Sequence, residues 1–326
     1  MILLYNFRIY IYFLLVIFLF NPLIKAQTTC FVTATNGLLV RAQADIKSPP
    51  IHKLKKGAKI KCIEKTSSVL VLEDGPQIMR GNWIKIEDPL TSITGYVFDA
   101  YVLYLQFDST TASTCLLQNN FEACIEPSDS ISFFQAPSLP YKAHLSKDSC
   151  QQLGLLNRDN PLDVALKSFK RRLLMESSSI NSKNLDEQFL GYDLQFYNSE
   201  FDFYVLWESW YEAKKPVLVN TNQHLFSIHG VKMAYQPGAS IFISYAYDLY
   251  AGWTPNGIDI LKKTKKGIVK LLEINPEQIS ERPWGPLEIR WLNNFSCIVQ
   301  TLSSSSDRPI YKKIIISETP APTFEP

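Results

Sequence analysis

Short apolar segments separated by turn residues make up residues 30–104, and no amphipathic helix interrupts them. Within residues 58–64, Ile60 and Cys62 alternate with Lys59 and Lys61, as expected for a strand with one face in water. Turn pairs such as Asn36-Gly37 and Lys56-Gly57 recur between such segments. Many short strands joined by glycine turns predict a small β-barrel over residues 27–105.

Residues 185–318 repeat this kind of pattern on a larger scale, with Gly, Pro and Asn at the joints. The pattern predicts a second all-β domain, either a sandwich or an open barrel. Its strands are predicted over residues 189–197, 202–210, 216–219, 224–228, 231–235, 239–247, 258–261, 268–274, 287–292, 296–302 and 310–317. The proline-rich tail, residues 319–326, is predicted to be disordered.

The segment between the two domains, residues 106–184, is rich in Ser, Thr, Asn and Gln. It is predicted to be a connector with one or two strands, such as residues 131–134. A helix is predicted over residues 161–176, because Asn160 can cap it and Pro161 suits the first helical position. An apolar stripe supports this helix: Leu162, Leu166, Phe169 and Leu173. The fold class is therefore predicted to be mainly β.

The N-terminus has the pattern of an export signal. Arg8 precedes a run of about a dozen apolar residues, which is too short to cross a bilayer. We expect a signal peptide over residues 1–26, cleaved after Ala26, and a periplasmic or secreted protein. An uncleaved N-terminal anchor and a lipid on Cys30 are two alternatives, although Gln27 does not fit a lipoprotein signal.

The balance of basic and acidic residues gives no support for nucleic acid or an anionic membrane as a partner. The chain has 33 basic and 31 acidic residues, and Arg8 and Lys25 of the predicted signal account for the difference. A neutral mature chain gives no electrostatic reason to bind nucleic acid or an anionic membrane. We expect no transmembrane segment in the mature chain.

Six cysteines follow the predicted signal: Cys30, Cys62, Cys115, Cys124, Cys150 and Cys297. In an oxidising compartment an even number favours disulfides, although six cysteines allow 15 pairings. Cys30 with Cys62 and Cys115 with Cys124 are two plausible pairs. No spacing typical of a zinc site is present, and we expect no metal and no cofactor.

The ordered motifs of residues 39–97 resemble the bacterial SH3 family, SH3b. They are Leu39-Val40-Arg41, Lys56-Gly57, Lys59-Ile60-Lys61, Asn82-Trp83-Ile84-Lys85-Ile86 and Gly95-Tyr96-Val97. The spacing before Trp83 is longer than usual in that family, so residues 67–80 are predicted to form an extended hairpin. The resemblance implies binding of cell-wall peptide, glycan or a protein partner, with Arg41, Trp83, Tyr96 and Tyr101 as candidate ligand contacts.

Because SH3b modules often accompany cell-wall hydrolases, the histidines and cysteines are to be considered as catalytic residues of a hydrolase. The histidines are His52, His144, His224 and His229, and the one cysteine close in sequence to a histidine is Cys150, which follows His144. No nucleophile motif surrounds Cys150, which we interpret as a disulfide partner or an idle thiol. His224 and His229 are five apart, which on a strand places them on opposite faces and argues against a shared metal.

Two aromatic groups are candidate sugar platforms: Trp207 with Trp210, and Tyr247 with Trp253. Aromatic residues at alternate strand positions more often fill a core. Three hypotheses remain: a non-catalytic envelope protein that binds peptidoglycan or an envelope protein, an envelope hydrolase with an unrecognised site in the C-terminal domain, and an assembly protein whose first module docks on its own second domain.

Overall fold

The computed structural model describes residues 29–74, 77–108, 113–118, 121–138, 144–146, 149, 189–210, 214–220, 225–236, 238–249, 255–304 and 306–318. The predicted signal peptide, the predicted helix 161–176 and the predicted disordered tail lie outside these residues. Within the described part of the chain, no helix has the length and apolar character needed to cross a membrane.

The N-terminal module consists of seven strands with one turn of 3-10 helix, Asp99–Tyr101, before the last strand. The strands are β1 Thr29–Val32, β2 Leu38–Arg41, β3 Pro50–Leu54, β4 Lys59–Asp74, β5 Gln77–Glu87, β6 Thr94–Phe98 and β7 Val102–Asp108. The predicted extended hairpin is confirmed, because β4 and β5 stay paired from Lys61 and Glu87 to Asp74 and Gln77.

The predicted connector begins with two strands, β8 Ser113–Gln118 and β9 Phe121–Ser128. The strand predicted over residues 131–134 was wrong, since a short helix, α1 Ser130–Gln135, lies there. The Asp129 side chain caps this helix by accepting a hydrogen bond from the Ser132 N–H. Phe133 of α1 is fully buried and packs 5.3 Å from the Tyr311 ring, so tertiary contact fixes the helix.

Each of the eleven strands predicted between residues 189 and 317 is present, with ends that differ by a few residues. They are β11 Phe189–Asn198, β12 Phe203–Trp210, β13 Lys214–Asn220, β14 Leu225–Ser227, β15 Lys232–Tyr235, β16 Ile241–Ala246, β17 Gly257–Thr264, β18 Gly267–Ile274, β19 Trp284–Asn293, β20 Ser296–Ser303 and β21 Ser306–Glu318. A two-residue strand, β10 His144–Leu145, precedes them, and a short helix, α2 Pro276–Ile279, follows β18.

These strands form three antiparallel sheets. The largest contains strands from both ends of the chain, in the order β19-β20-β21-β9-β8-β7-β1-β4-β5-β6-β2-β3. The second sheet has the order β10-β11-β12-β13-β14, and the third has the order β15-β16-β17-β18. The prediction of a mainly β protein is confirmed, and strands predicted as a separate first module continue into the C-terminal strands through β8, β9 and β21.

Strands β1 and β7 separate two hydrophobic cores. Val32 and Val102 point into a first core, which is enclosed by strands β1 to β7. Phe31 and Leu103 point the other way, into a second core that they share with β8, β9, β15 to β21. Since side chains alternate across a strand, each of these two short strands contributes to both cores.

The four-stranded sheet is the middle layer of the C-terminal half. One face, with Ile243 and Ile260, joins the second core. The opposite face packs on the five-stranded sheet, where the Phe203 and Phe242 rings stack with centroids 5.2 Å apart. An antiparallel sheet that is covered on both faces has few positions for polar residues.

Two disulfides connect strands, Cys30 to Cys62 and Cys115 to Cys124, as the sequence analysis paired them. Among the described residues Cys297 is the one free cysteine, and it is fully buried in the second core. Cys150 lies outside the described residues. Cross-linking β1 to β4 within the first core is expected to stabilise the fold by about 3–4 kcal/mol, if the entropic loop-closure model applies.

The sharing of β1 and β7 predicts that the two cores unfold together. Substituting Leu103 with Ala removes side-chain packing from the second core, and substituting Val102 with Ala removes it from the first. Each variant should unfold in one transition, and Leu103→Ala should lose about 2–5 kcal/mol of unfolding free energy. Urea denaturation followed by tryptophan fluorescence and by circular dichroism measures both properties.

The matched control is Leu292→Ala, because this leucine is 40% exposed and should change stability by less than about 1 kcal/mol. Two separate transitions, with Leu103→Ala affecting one and Val102→Ala the other, would show that the cores are independent.

Candidate ligand-binding surface

The outer face of the N-terminal module carries two of the four predicted ligand contacts. On β2, Leu38 and Val40 point into the first core, so Leu39 and Arg41 face outward. The same alternation applies to β3, β5 and β6, whose residues Leu54, Ile84, Ile86 and Val97 are in that core. Lys53, Lys85 and Tyr96 therefore face outward. We call Leu39, Arg41, Lys53, Lys85 and Tyr96 the outer strip.

The outer strip is basic and accessible. Arg41 pairs with Tyr96 across β2 and β6, and Tyr96 pairs with Lys85 across β6 and β5, so the tyrosine lies in a row between two cations. Lys53 is exposed on the edge strand, directly opposite Leu39. The next residue in the row is Glu64, opposite Lys85. Three cations and one acid make the strip suitable for a ligand that carries carboxylates.

Arg41 also has a structural task. Its guanidinium Nη1 donates a hydrogen bond of 2.5 Å to the Ser48 carbonyl. Ser48 in turn accepts the Gln43 N–H at its hydroxyl, at 3.0 Å. Arg41 therefore holds the loop between β2 and β3 in place and also contributes a positive charge to the outer strip.

The other two predicted contacts, Trp83 and Tyr101, belong to an aromatic cluster next to the strip. Trp83 is only 4% exposed and lies 6.4 Å from the Phe98 ring, whose other neighbour is Tyr101 at 5.8 Å. Leu70, Leu72 and Met79 of the extended hairpin pack on the same cluster. Trp83 therefore supports the hairpin, whereas Arg41 and Tyr96 are the predicted contacts that face outward.

A buried polar network, which the sequence analysis did not predict, lies in the middle sheet. Asp259 on β17 is fully buried, and its Oδ1 lies 2.6 Å from the Lys270 ammonium on β18. Its Oδ2 accepts the His229 N–H at 2.5 Å and lies 3.1 Å from His229 Nδ1. An aspartate inside the apolar run Ile258-Asp259-Ile260 was the signal that could have revealed it, because an acid there needs a partner.

The polar network continues to the N-terminal module. Lys270 also lies 3.3 Å from Glu273, and the Glu273 carboxylate contacts the Lys56 ammonium at 2.8 Å. Lys56 belongs to the turn between β3 and β4, and next to it Gly57 adopts a φ of +79°, which favours glycine. The Lys56-Gly57 turn, which carries part of the SH3b resemblance, therefore binds the C-terminal half.

Interactions between opposite charges keep the carboxylates and the lysine of this network ionised. Burial alone would raise the pKa of Asp259, but Lys270 and then His229 outweigh it, so the pKa lies below its ordinary value. Glu273 has a lowered pKa for the same reason, with burial overcome mainly by Lys270. Burial acts to lower the pKa of Lys270, and the two carboxylates raise it above its usual range.

The His229–Asp259 pair does not form a hydrolytic site with the described residues. A catalytic histidine must present Nε2 to a nucleophile or a substrate. Here a methyl group added at Gly257 would come within 2.5 Å of His229 Nε2, so backbone occupies that space. Ser244, opposite Asp259 on β16, donates its hydroxyl hydrogen to the Gly230 carbonyl at 2.8 Å. The cluster is enclosed and has the geometry of a structural network.

The two candidate aromatic platforms lie in different places. Trp207 is half-buried on β12 of the five-stranded sheet, between Asp193 and Pro216 of the neighbouring strands. Tyr247 follows β16 of the four-stranded sheet and contacts the backbone at Gly285. Trp253 and the side chain of Trp210 are outside the described part of the molecule, so both candidate platforms stay predictions.

The remaining histidines are dispersed. His52 lies 3.5 Å from the Asp88 carboxylate in the N-terminal module, and His144 is in β10. Cys150 and His224 are outside the described residues, so the interpretation of Cys150 as a disulfide partner or an idle thiol stays a prediction. The Cys115, Glu122 and Cys124 ligand atoms lie within 4.8 Å of one another on the β8–β9 hairpin.

Comparison with known proteins assigns this chain to no family. No protein-family model matches this chain, and no curated protein is significantly similar to it. The functional interpretation therefore depends on the geometry described above.

The lowered pKa values of Asp259 and Glu273 predict an acid-sensitive fold. A carboxyl group with a lower pKa in the folded than in the unfolded chain stabilises the fold above the unfolded value, roughly 4, and this stabilisation is lost as pH falls through the folded value. Asp259→Asn should cost about 3–5 kcal/mol at neutral pH, because it leaves Lys270 without its main partner. It should also reduce the loss of stability on acidification.

Urea unfolding at several pH values between neutral and strongly acidic measures this difference. Glu281→Gln is the matched control, because Glu281 is an exposed carboxylate in the bend after α2 and should leave both stability and its pH dependence unchanged. Parallel pH profiles for the wild-type chain and Asp259→Asn would contradict the assignment.

Proposed function

We propose that this chain is an exported, non-catalytic envelope protein that binds cell-wall peptide, glycan or an envelope protein through the outer strip of an SH3b-like module. The observation that carries the proposal is the orientation of this module. Its opposite side, with Phe31 and Leu103, is buried in the second core. The outer strip faces away from both cores and combines three cations with a tyrosine.

Several features support the SH3b-like part of the proposal. The seven strands enclose one core, and a turn of 3-10 helix precedes the last of them. The motif residues have defined structural roles: Gly57 lies at a turn with positive φ, Trp83 lies in a buried cluster, and Gly95 packs against Val40. The two disulfides support export, since disulfides persist in oxidising compartments.

The positive charge of the outer strip favours one class of ligand over the others. Stem peptides of the cell wall carry carboxylates, which a basic strip attracts, whereas a neutral glycan would depend on Tyr96 alone. A tyrosine offers an apolar ring together with a hydroxyl, which suits both peptide and sugar. We therefore favour carboxylate-bearing peptide, with glycan and a protein partner as alternatives to be separated by experiment.

A second role, assembly of the molecule itself, is favoured by the contact between the module and the C-terminal half. The Lys56–Glu273 ion pair and the shared strands β1 and β7 tie the module to the second core. The ring that packs against Trp83 is Phe98 of the same module. Docking and ligand binding therefore use different faces and are compatible.

Binding should depend on the charge of the outer strip. The double substitution Lys53→Gln and Lys85→Gln removes two cations from it, and each exposed charge contributes up to about 1 kcal/mol to an ionic contact. Retention of the chain 27–326 on purified peptidoglycan should fall about tenfold. Co-sedimentation at low and at high salt measures this, and wild-type retention should weaken as salt increases.

The matched control is Lys214→Gln with Lys215→Gln, which removes the same charge from an exposed position on β13. The full mature chain is needed, because a fragment ending at residue 105 would expose Phe31 and Leu103 of the second core. Equal retention of the two double variants, or no retention above that of an unrelated β-barrel protein, would refute the proposed function.

A further inference from the structure

One face of the β8–β9 hairpin brings two sulfurs and a carboxylate together. Leu116, Ala123 and Ile125 of this hairpin point into the second core. The alternate residues Cys115, Glu122 and Cys124 therefore share the opposite face. All three are half-buried, and Cys115 also packs against the edge of the first core. Their ligand atoms lie within 4.8 Å of one another.

The neighbouring strands hold this face in place independently of the disulfide. Strand β8 pairs with β7 from Tyr104 to Asp108, and β9 pairs with β21 along its whole length. The Ser317 hydroxyl on β21 donates a hydrogen bond of 3.2 Å to Glu122 Oε2, which orients the carboxylate. The three positions should therefore stay together when the sulfur–sulfur bond is opened.

We propose that Cys115, Glu122 and Cys124 form a redox-dependent binding site for a thiophilic divalent cation of the zinc class. In the oxidised chain the two sulfurs are joined and offer no thiolate. In the reduced chain two thiolates and one carboxylate provide three ligands, and water supplies the fourth. Zinc takes this ligand set in tetrahedral geometry, with neighbouring ligand atoms roughly 3.5 Å apart.

The redox step needs an external dithiol. The dithiol transfers two electrons and two protons to the Cys115–Cys124 disulfide and is itself converted to a disulfide. The sulfur–sulfur bond breaks and two thiols form. The cation then displaces both thiol protons to the solvent, and two sulfur–metal bonds form. Metal affinity should therefore rise with pH in the reduced chain.

The other cysteines that the structure describes lack such a site. Cys30 and Cys297 are fully buried in apolar cores, and burial raises the pKa of the Cys297 thiol. Within the described residues, the hairpin face is the one group in which cysteine and a carboxylate have metal-ligand distances. Glu126 lies on the same face of β9, two residues beyond Cys124, where it is 3.7 Å from the Lys313 ammonium. It gives a matched control carboxylate.

The test titrates cobalt and zinc ions into the full mature chain, oxidised or reduced with a phosphine that is removed before the titration. Cobalt reports thiolate ligands by a sulfur-to-metal charge-transfer absorption band. The reduced chain should bind one ion with this band, and the oxidised chain should not. Glu122→Gln should weaken binding about tenfold and Glu126→Gln should not. Cys115→Ser with Cys124→Ser should abolish the band.

Two results would overturn the proposal. One is a charge-transfer band of equal strength after Cys115→Ser with Cys124→Ser, which would place the metal on other thiols. The other is equal affinity in Glu122→Gln and Glu126→Gln, which would mean that the thiolates bind without this carboxylate. Both glutamine variants keep the disulfide when oxidised, so their circular dichroism spectra before reduction verify the fold.

Discussion

The structure depends on two short strands whose side chains serve two cores at once. In β1 and β7, Cys30, Val32, Val102 and Tyr104 point into the first core, whereas Phe31, Leu103 and Leu105 point into or pack against the second one. The module therefore cannot be released from the C-terminal half without exposing Phe31 and Leu103. This constraint makes the twelve-stranded sheet continuous and fixes which face of the module remains outside.

The same layering explains where charge is allowed inside the molecule. The four-stranded sheet has apolar sheets on both of its faces, so a charge on it must be paired. Asp259 meets this requirement with Lys270 and with the His229 N–H, and Glu273 extends the pairing to Lys56 at the boundary of the N-terminal module. The buried charges thus connect two parts of the chain that are more than two hundred residues apart.

The two proposed sites lie on strand faces that turn away from the core beneath them. The outer strip lies on strands β2, β3, β5 and β6, whose opposite faces enclose the first core. The Cys115–Glu122–Cys124 face lies on β8 and β9, whose opposite face closes the second core. In both cases alternation along a strand gives a rigid support beneath the exposed side chains, which is the requirement for a preorganised site.

The sequence by itself determined the strands of the C-terminal half and the long β4–β5 hairpin, because period-two patterning and turn residues are local signals. It made Cys115–Cys124 a plausible pair through its separation of nine residues, whereas Cys30–Cys62 joins residues 32 apart. The polar composition of the connector concealed where its strands β8 and β9 lie, β7 was not predicted, and the short apolar run at α1 was taken for a strand. Only the tertiary structure decided that the first module and the C-terminal half share a sheet, that Trp83 is covered while Tyr96 is accessible, and that Asp259, His229, Lys270 and Glu273 meet. Those outcomes depend on contacts between residues far apart in the chain, and local patterning carries no information about which distant partner a face will find.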